Sequence, residues 1–325
     1  AEHKAAQAEK MKLEKQAQSA ADATHAVRTD ASAQTAPRPE APVQRAADKT
    51  PPPPVQIPIE QLNRLGVVTP DRPRSRIAEE YRMIKRPLLA NVEGKGAASI
   101  EHANLIMVTS SLQGEGKTFT SINLAMSISM EEDRTVLLVD GDVAKASAAS
   151  LLGVPKDSRG LIDVLEHDDV GIEDVLLRTS IPNLRIIPAG LVHERATELL
   201  ASDAMRRLAE EISTRYPDRV IIFDSPPLLL TSEATVLASL MGQIVFVVAA
   251  EKTPPEAVKE AIEHIAEDKV VGMVLNKTRR NPLERFGYGY GYGYGYGYGY
   301  GYGDAQRESE AALGARQGSA HGSRQ

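Results

Sequence analysis

Six short apolar runs, at residues 105–108, 135–139, 184–187, 220–223, 244–248 and 270–275, do most to limit how this chain can fold. Each is continuous rather than alternating, so each predicts a strand buried on both faces. Stretches with helical spacing, at 118–130, 197–215, 233–241 and 255–267, fall between several of them. Apolar strands separated by amphipathic helices pack as a parallel sheet with helices on both faces, an α/β architecture. Ligands of such sheets bind at the carboxyl ends of the strands. With 325 residues, 42% of them hydrophobic, the chain can bury at least one sizeable core.

The loop after the first run reads Ser110-Ser111-Leu112-Gln113-Gly114-Glu115-Gly116-Lys117-Thr118, and Phe119-Thr120-Ser121-Ile122 then opens a helix. Strand, glycine-containing turn and helix starting on Gly-Lys-Thr is the layout of a P-loop, so the fold expected is a P-loop NTPase-like parallel sheet. Backbone N–H groups and the helix dipole hold phosphate in such a loop. Gly114, Glu115, Gly116, Lys117, Thr118 and Phe119 are therefore the candidate nucleotide-binding residues, with Lys117 reaching the outer phosphates and Thr118 offering its hydroxyl to Mg²⁺. Ser111 stands where the strict pattern G-x-x-x-x-G-K-[ST] has its first glycine.

Two acidic strand ends complete that loop. Val136-Leu137-Leu138-Val139-Asp140-Gly141-Asp142 carries two carboxylates at its carboxyl end, and Val220-Ile221-Ile222-Phe223-Asp224-Ser225-Pro226-Pro227 carries one. Such aspartates stand beside the phosphate cradle, where Mg²⁺ needs oxygen ligands directly or through water.

The flanks differ in kind. Residues 1–57 are rich in Ala, Gln, Pro and charge and end near Pro51-Pro52-Pro53-Pro54, so they predict a disordered arm. Residues 58–92 predict a helical segment, with Ser75 capping a helix from Arg76 to about Ala90 and Pro87 kinking or ending it. Glu79, Arg82 and Lys85 recur every third residue and share one flank of that helix. The sheet-forming domain occupies 93–282. Within a flexible tail, 283–325, glycine and tyrosine alternate strictly, placing Tyr288, Tyr290, Tyr292, Tyr294, Tyr296, Tyr298, Tyr300 and Tyr302. Such a segment reads either as a low-complexity sticky stretch or, since glycines allow any register and each phenol carries an oxygen that phosphoryl transfer can use, as a set of acceptors.

Composition removes several alternatives. The net charge of −6 gives no bulk attraction to nucleic acid or anionic lipid. Absence of cysteine excludes disulfides and thiolate chemistry. No apolar run approaches the roughly 18 residues of a bilayer span, and residues 1–21 lack the apolar stretch of a signal peptide. These features predict a cytoplasmic protein.

Taken together, the Ser-Ser-x-x-Gly-Glu-Gly-Lys-Thr loop, the Asp140-x-Asp142 strand end and Asp224-Ser225-Pro226-Pro227 resemble the bacterial tyrosine autokinases of exopolysaccharide synthesis. The resemblance covers residues 57–302. Gly160-Leu161-Ile162-Asp163, Pro188-Ala189-Gly190 and Glu198-Leu199-Leu200 are similar to that family's signatures. So is Glu79-x-x-Arg82-x-x-Lys85, which resembles its Glu-x-x-Arg-x-x-Arg subunit-contact motif and leaves Lys85 or Arg86 for the last contact. The sequence from Ala78 to Leu89 resembles most the subgroup encoded beside exosortase-type polysaccharide loci.

The resemblance implies Mg²⁺-ATP-dependent phosphorylation of the tyrosine cluster between subunits of a homo-oligomeric ring, with Glu79, Arg82 and Lys85 in the contact. It implies Lys117, Asp140 and Asp142 as catalytic residues, Asp140 orienting or accepting the tyrosine proton, and Thr118, Asp142 and Asp224 around the metal. Asn276, closing the last strand, is implied as a contact to the adenine edge. A separate membrane protein of the chain-length-determinant type, which recruits the chain to the inner face of the membrane, and a cognate tyrosine phosphatase are the implied partners. In the family an arginine usually follows the aspartate pair, where this chain has Val143-Ala144-Lys145. The alternative resemblance, to partitioning and cell-division-site ATPases, lacks their signature lysine, since Leu112 occupies its position.

Overall fold

A computed structural model describes residues 53–279 except positions 97, 98, 192 and 217. The expected N-terminal arm, up to residue 52, and the tyrosine cluster lie outside the described residues.

Seven strands form one sheet: β1 (Leu105–Ser110), β2 (Thr135–Asp140), β3 (Leu177–Arg178), β4 (Leu184–Ile187), β5 (Arg219–Asp224), β6 (Gln243–Ala249) and β7 (Val270–Asn276). Their order is β3-β4-β2-β5-β1-β6-β7. Every neighbouring pair is parallel except β3 with β4. The six apolar runs thus become six strands, each within two residues of its expected ends. The two-residue β3 is a further, antiparallel edge strand, too short to leave a periodic trace.

Continuous apolar runs are needed because both faces of the sheet are covered. Ile106, Val108, Val136, Leu138, Val220 and Ile222 face one core. Over them pack α1 (Ile59–Arg64), α2 (Arg76–Val92), α3 (Lys117–Ser129) and α4 (Ala148–Leu151). Leu105, Met107, Leu137, Val139, Ile221 and Phe223 face the other. That face carries α5 (Leu161–Glu166), α6 (Ile172–Val175), α7 (Ala196–Leu200), α8 (Asp203–Arg215), α9 (Ser232–Leu240) and α10 (Pro255–Glu263). Phe223 and Phe246 are completely buried, and truncating such a side chain to alanine costs about 3–5 kcal/mol.

α3 is buried almost all round because it lies between the sheet and α2, with eleven buried positions among its thirteen residues. Two polar ties fix its outer layer. Asn123 Oδ1 accepts from the Val68 amide at 2.7 Å, and Lys85 Nζ donates to the Ser127 carbonyl at 2.5 Å. α2 begins where Ser75 Oγ accepts from the Ala78 amide. It runs through Pro87 to Val92. The expected single helix over 197–215 is instead α7 and α8, because Ser202 takes extended backbone and its Oγ caps the Met205 amide.

Candidate active site

The centre of the sheet brings the three sequence motifs to one edge. β2 pairs with β5 so that Asp140 stands directly opposite Asp224, and Val108 of β1 is paired with Asp224 from the other side. The strand ends are locked: the Gly141 amide donates to the Asp224 carbonyl at 2.8 Å, and Ser225 Oγ donates to the Val108 carbonyl at 2.9 Å. Above them the loop from Ser111 to Gly116 turns into α3. Gly116, the residue capping α3, has φ +106°, and Gly114 has φ +78°, a region that side chains rarely adopt.

Beside this loop lies a cleft of about 370 Å³, walled by Gln113, Gly114, Gly116, Lys117, Thr118 and Phe119. Asp142, Ala144, Lys145, Ser147, Pro226, Pro227 and Thr231 close it from the β2 and β5 ends. Lys117 opens α3 and is only 7% exposed. Burial pulls its ammonium below the usual lysine range, against the opposing charges of Asp142, Asp224 and Glu115. Thr118 Oγ1 lies 3.3 Å from Ser147 Oγ.

The acids divide by depth. Asp142, 8% exposed, is on the cleft wall and accepts from the Lys145 amide at 3.2 Å. Asp140 and Asp224 lie behind it with no exposure. Asp140 Oδ2 accepts from the Ala149 amide at 3.2 Å, and Asp224 Oδ1 accepts from Ser121 Oγ at 2.9 Å. Asp140 Oδ1 and Asp224 Oδ2 have no hydrogen-bond partner among the described residues. Burial, with Asp224 and Asp142 adding repulsion, pushes the Asp140 carboxyl up to about 7. Burial raises Asp224 to about 6, with the Thr118 and Ser121 hydroxyls and the Lys117 charge working against it.

Two orphaned buried acid oxygens beside a threonine hydroxyl and a phosphate-type loop fit a divalent cation. Among the described residues no group of three or more His, Cys, Asp or Glu gathers for a metal. Mg²⁺ in phosphate sites commonly takes one or two carboxylates and completes its shell with phosphate oxygens and water.

Several expected residues sit elsewhere. Asn276 does not line the cleft; its Nδ2 donates to the Glu115 carbonyl at 2.9 Å, and its Oδ1 accepts from the Lys277 amide at 2.8 Å. With Phe119 it borders a second hollow of about 380 Å³ between α2 and β7. Glu79 and Arg82 form an ion pair on the surface of α2, and Arg82 Nη2 also donates to the Pro73 carbonyl at 3.0 Å. Lys85 departs from the expected shared flank. It is 4% exposed, and besides the Ser127 carbonyl it binds Glu131 Oε1 at 2.5 Å, so its charge is satisfied inside the chain. Arg86 next to it is exposed.

Sequence reasoning did not select Lys145, Ser147 or Thr231, all on the cleft wall. The first of these had a signal: it lies three residues past Asp142, close to where related chains place arginine, and a short 3₁₀ turn over Val143–Lys145 brings it round.

Comparison with known proteins places this geometry. The family model described as "AAA domain" matches residues 103–269. The tyrosine-protein kinase YwqD of Bacillus subtilis (strain 168) is 29% identical over 226 residues, covering 69% of this chain and 90% of that protein. The succinoglycan biosynthesis transport protein ExoP of Rhizobium meliloti (strain 1021) is 32% identical over 238 residues, 71% of this chain but 28% of that longer protein. Among solved structures, the kinase domain of the Escherichia coli tyrosine kinase ETK superposes with a TM-score of 0.51 at 26% identity, over 75% of this chain and 98% of that one. With the family model spanning more than half of its length, this chain belongs to the AAA domain family.

Proposed function

We propose that this chain is a bacterial protein-tyrosine kinase that transfers the terminal phosphoryl group of Mg²⁺-ATP to tyrosines of its own Gly-Tyr segment in a neighbouring copy. The observation that carries the reading is a phosphate-type loop with Lys117 at the start of α3, set over two buried strand-end acids that each keep one oxygen unpartnered among the described residues. Relatives named as tyrosine-protein kinases support the choice of acceptor.

Each residue then has a role. Lys117 and the amides of Gly114 to Thr118 hold the phosphates and neutralise charge that builds on the transferred group. Thr118, Asp142 and Asp224 would hold Mg²⁺, which supplies further neutralisation of the phosphate oxygens. Asp140, its carboxyl raised to about 7 by burial behind Asp142, orients the acceptor or takes up the phenolic proton through water. The acceptors are the tyrosines from Tyr288 to Tyr302, whose phosphates add roughly −1.5 to −2 charges each and repel one another. Adenine would lie toward the hollow that Asn276 and Phe119 border between α2 and β7.

Regulation of exopolysaccharide polymerisation or export follows from the same family reading. Exposed Glu79, with Arg82 and Arg86 beside it, makes the contact between copies in a ring. A membrane chain-length-determinant protein recruits and activates the chain at the inner face of the membrane, and a phosphatase resets the tail. The sequence from Ala78 to Leu89 supports a place in the exosortase-associated subgroup. Among the described residues no helix is long and apolar enough to cross a membrane.

The test is incubation of purified protein, alone and with a membrane activator fragment, with γ-labelled ATP and Mg²⁺, followed by phosphoamino-acid analysis and site mapping. Label is expected on tyrosines 288–302 and absent from Lys117→Met. Label on serine or threonine, or label that survives Lys117→Met, overturns the proposal.

A further inference from the structure

One buried acid at the loop stands apart from the cleft. Glu115 is 3% exposed, yet its side chain does not border the nucleotide cavity. Both carboxylate oxygens are engaged. Oε2 accepts from the Leu112 amide at 2.6 Å, and Oε1 accepts from the hydroxyl of Thr253, 138 residues away in sequence. Thr253 lies between β6 and α10, where its own Oγ1 accepts from the Ala249 amide at 3.1 Å and its amide donates to the Ala249 carbonyl at 3.0 Å. The hydroxyl is therefore fixed on the carboxyl end of β6, and the glutamate is fixed on the hydroxyl.

The carboxyl end of β7 adds two more bonds to the same loop. Asn276 Nδ2 holds the Glu115 carbonyl, and Lys277 Nζ holds the Gly114 carbonyl. Asn276, Lys277 and Thr253 are all absent from the cleft wall, so these bonds approach the loop from outside it. A phosphate cradle works when its amides face the anion and its carbonyls face away. Anchoring the carbonyls of Gly114 and Glu115 from behind favours that orientation. The device has a purpose here, because Gly114 and Gly116 are free to adopt many conformations and ordering them on binding would weaken affinity. A negative charge inside an anion-binding loop opposes the ligand, so a buried glutamate there needs a geometric reason, and the two fixed donors supply one.

We infer that Thr253, acting through the Glu115 carboxylate, is a positioning residue that presets the phosphate loop, so that nucleotide affinity is governed in part from the β6–α10 connection. This rests on the nucleotide-loop reading given under Proposed function.

The experiment measures the Kd for Mg²⁺-ATP by calorimetry, the split between KM for ATP and kcat, and the melting temperature without nucleotide, on the full chain. Thr253→Val is expected to raise Kd and KM about tenfold with kcat changed less than twofold, while Thr253→Ser restores both. Combining Thr253→Val with Glu115→Ala should weaken binding no further than Glu115→Ala alone, since one residue acts through the other. Should Thr253→Val fail to fold, the isosteric Glu115→Gln, which removes one acceptor oxygen, is expected to show the same tenfold rise. Affinity within twofold of wild type in the variant that folds, or additive losses in the double variant, overturns the inference while Lys117→Met still abolishes binding. Unchanged binding in Lys117→Met defeats the nucleotide-loop reading, and this inference with it.

Discussion

Two sets of buried acids flank Lys117, and they are built in opposite ways. Asp140 and Asp224 close the central strands with one oxygen bonded and the other bare. Glu115, from the loop, has both oxygens bonded. A buried polar atom without a partner costs about 1–3 kcal/mol, so a fold keeps one where something arrives to complete it. A buried acid with every oxygen bonded is already at its endpoint and serves the geometry of its neighbours. Hydrogen-bond completeness thus separates groups that wait for a ligand from groups that prepare its place.

Substitutions can break that distinction, and the greatest effect belongs to the incomplete pair. Asp224→Asn or Asp140→Asn should lower phosphoryl transfer about a hundredfold or more, the first by weakening the hold on Mg²⁺ and the second by removing the acceptor of the phenolic proton. The same changes should leave the metal-free melting temperature unchanged or raised, since a costly buried charge is removed. A drop in metal-free stability comparable to a core truncation would place these acids with Glu115. The reverse pattern is expected for Glu115→Ala. There ATP affinity falls about tenfold, and stability falls with it by about 1–3 kcal/mol as the Leu112 amide loses its acceptor. Chemical denaturation with and without nucleotide reads both.

The smallest effect sharpens the comparison through pH. Raised acids bind protons in the folded chain at pH values where the unfolded chain has released them, so their contribution to stability falls as pH rises. For Asp140 the window opens near its ordinary value of 3.8 and closes near 7, and for Asp224 it closes near 6. Protein free of Mg²⁺ and nucleotide should lose melting temperature as pH rises across that window. Asp140→Asn should flatten the profile, and a profile identical to wild type would show that Asp140 is not the titrating group.

The sequence made the framework readable because the sheet is covered on both sides, which leaves unbroken apolar runs with abrupt acidic ends. It made Lys117, Asp142 and Asp224 readable for the same reason, each being tied to the end of an element that local pattern defines. The bond between Glu115 and Thr253 was invisible, since a contact across 138 residues has no local pattern. Lys85 misled: a three-residue spacing assigns a side of a helix, but a long side chain can still reach under its neighbour, and this one turns inward to Ser127 and Glu131. Ser202 went unnoticed as a cap because helical spacing continues across it from Thr197 to Arg215, while the backbone turns aside for one residue.

β7 carries a different lesson. It ends the sheet, pairs on one side only among the described residues, and reads Val-Val-Gly-Met-Val-Leu-Asn, with Met273 58% and Leu275 62% exposed. Natural sheets usually blunt such rims with lysine, proline or a bulge. Asp268, Lys269 and Lys277 flank this run but no charge or proline interrupts it, so among the described residues β7 is the rim best suited to accept a further strand.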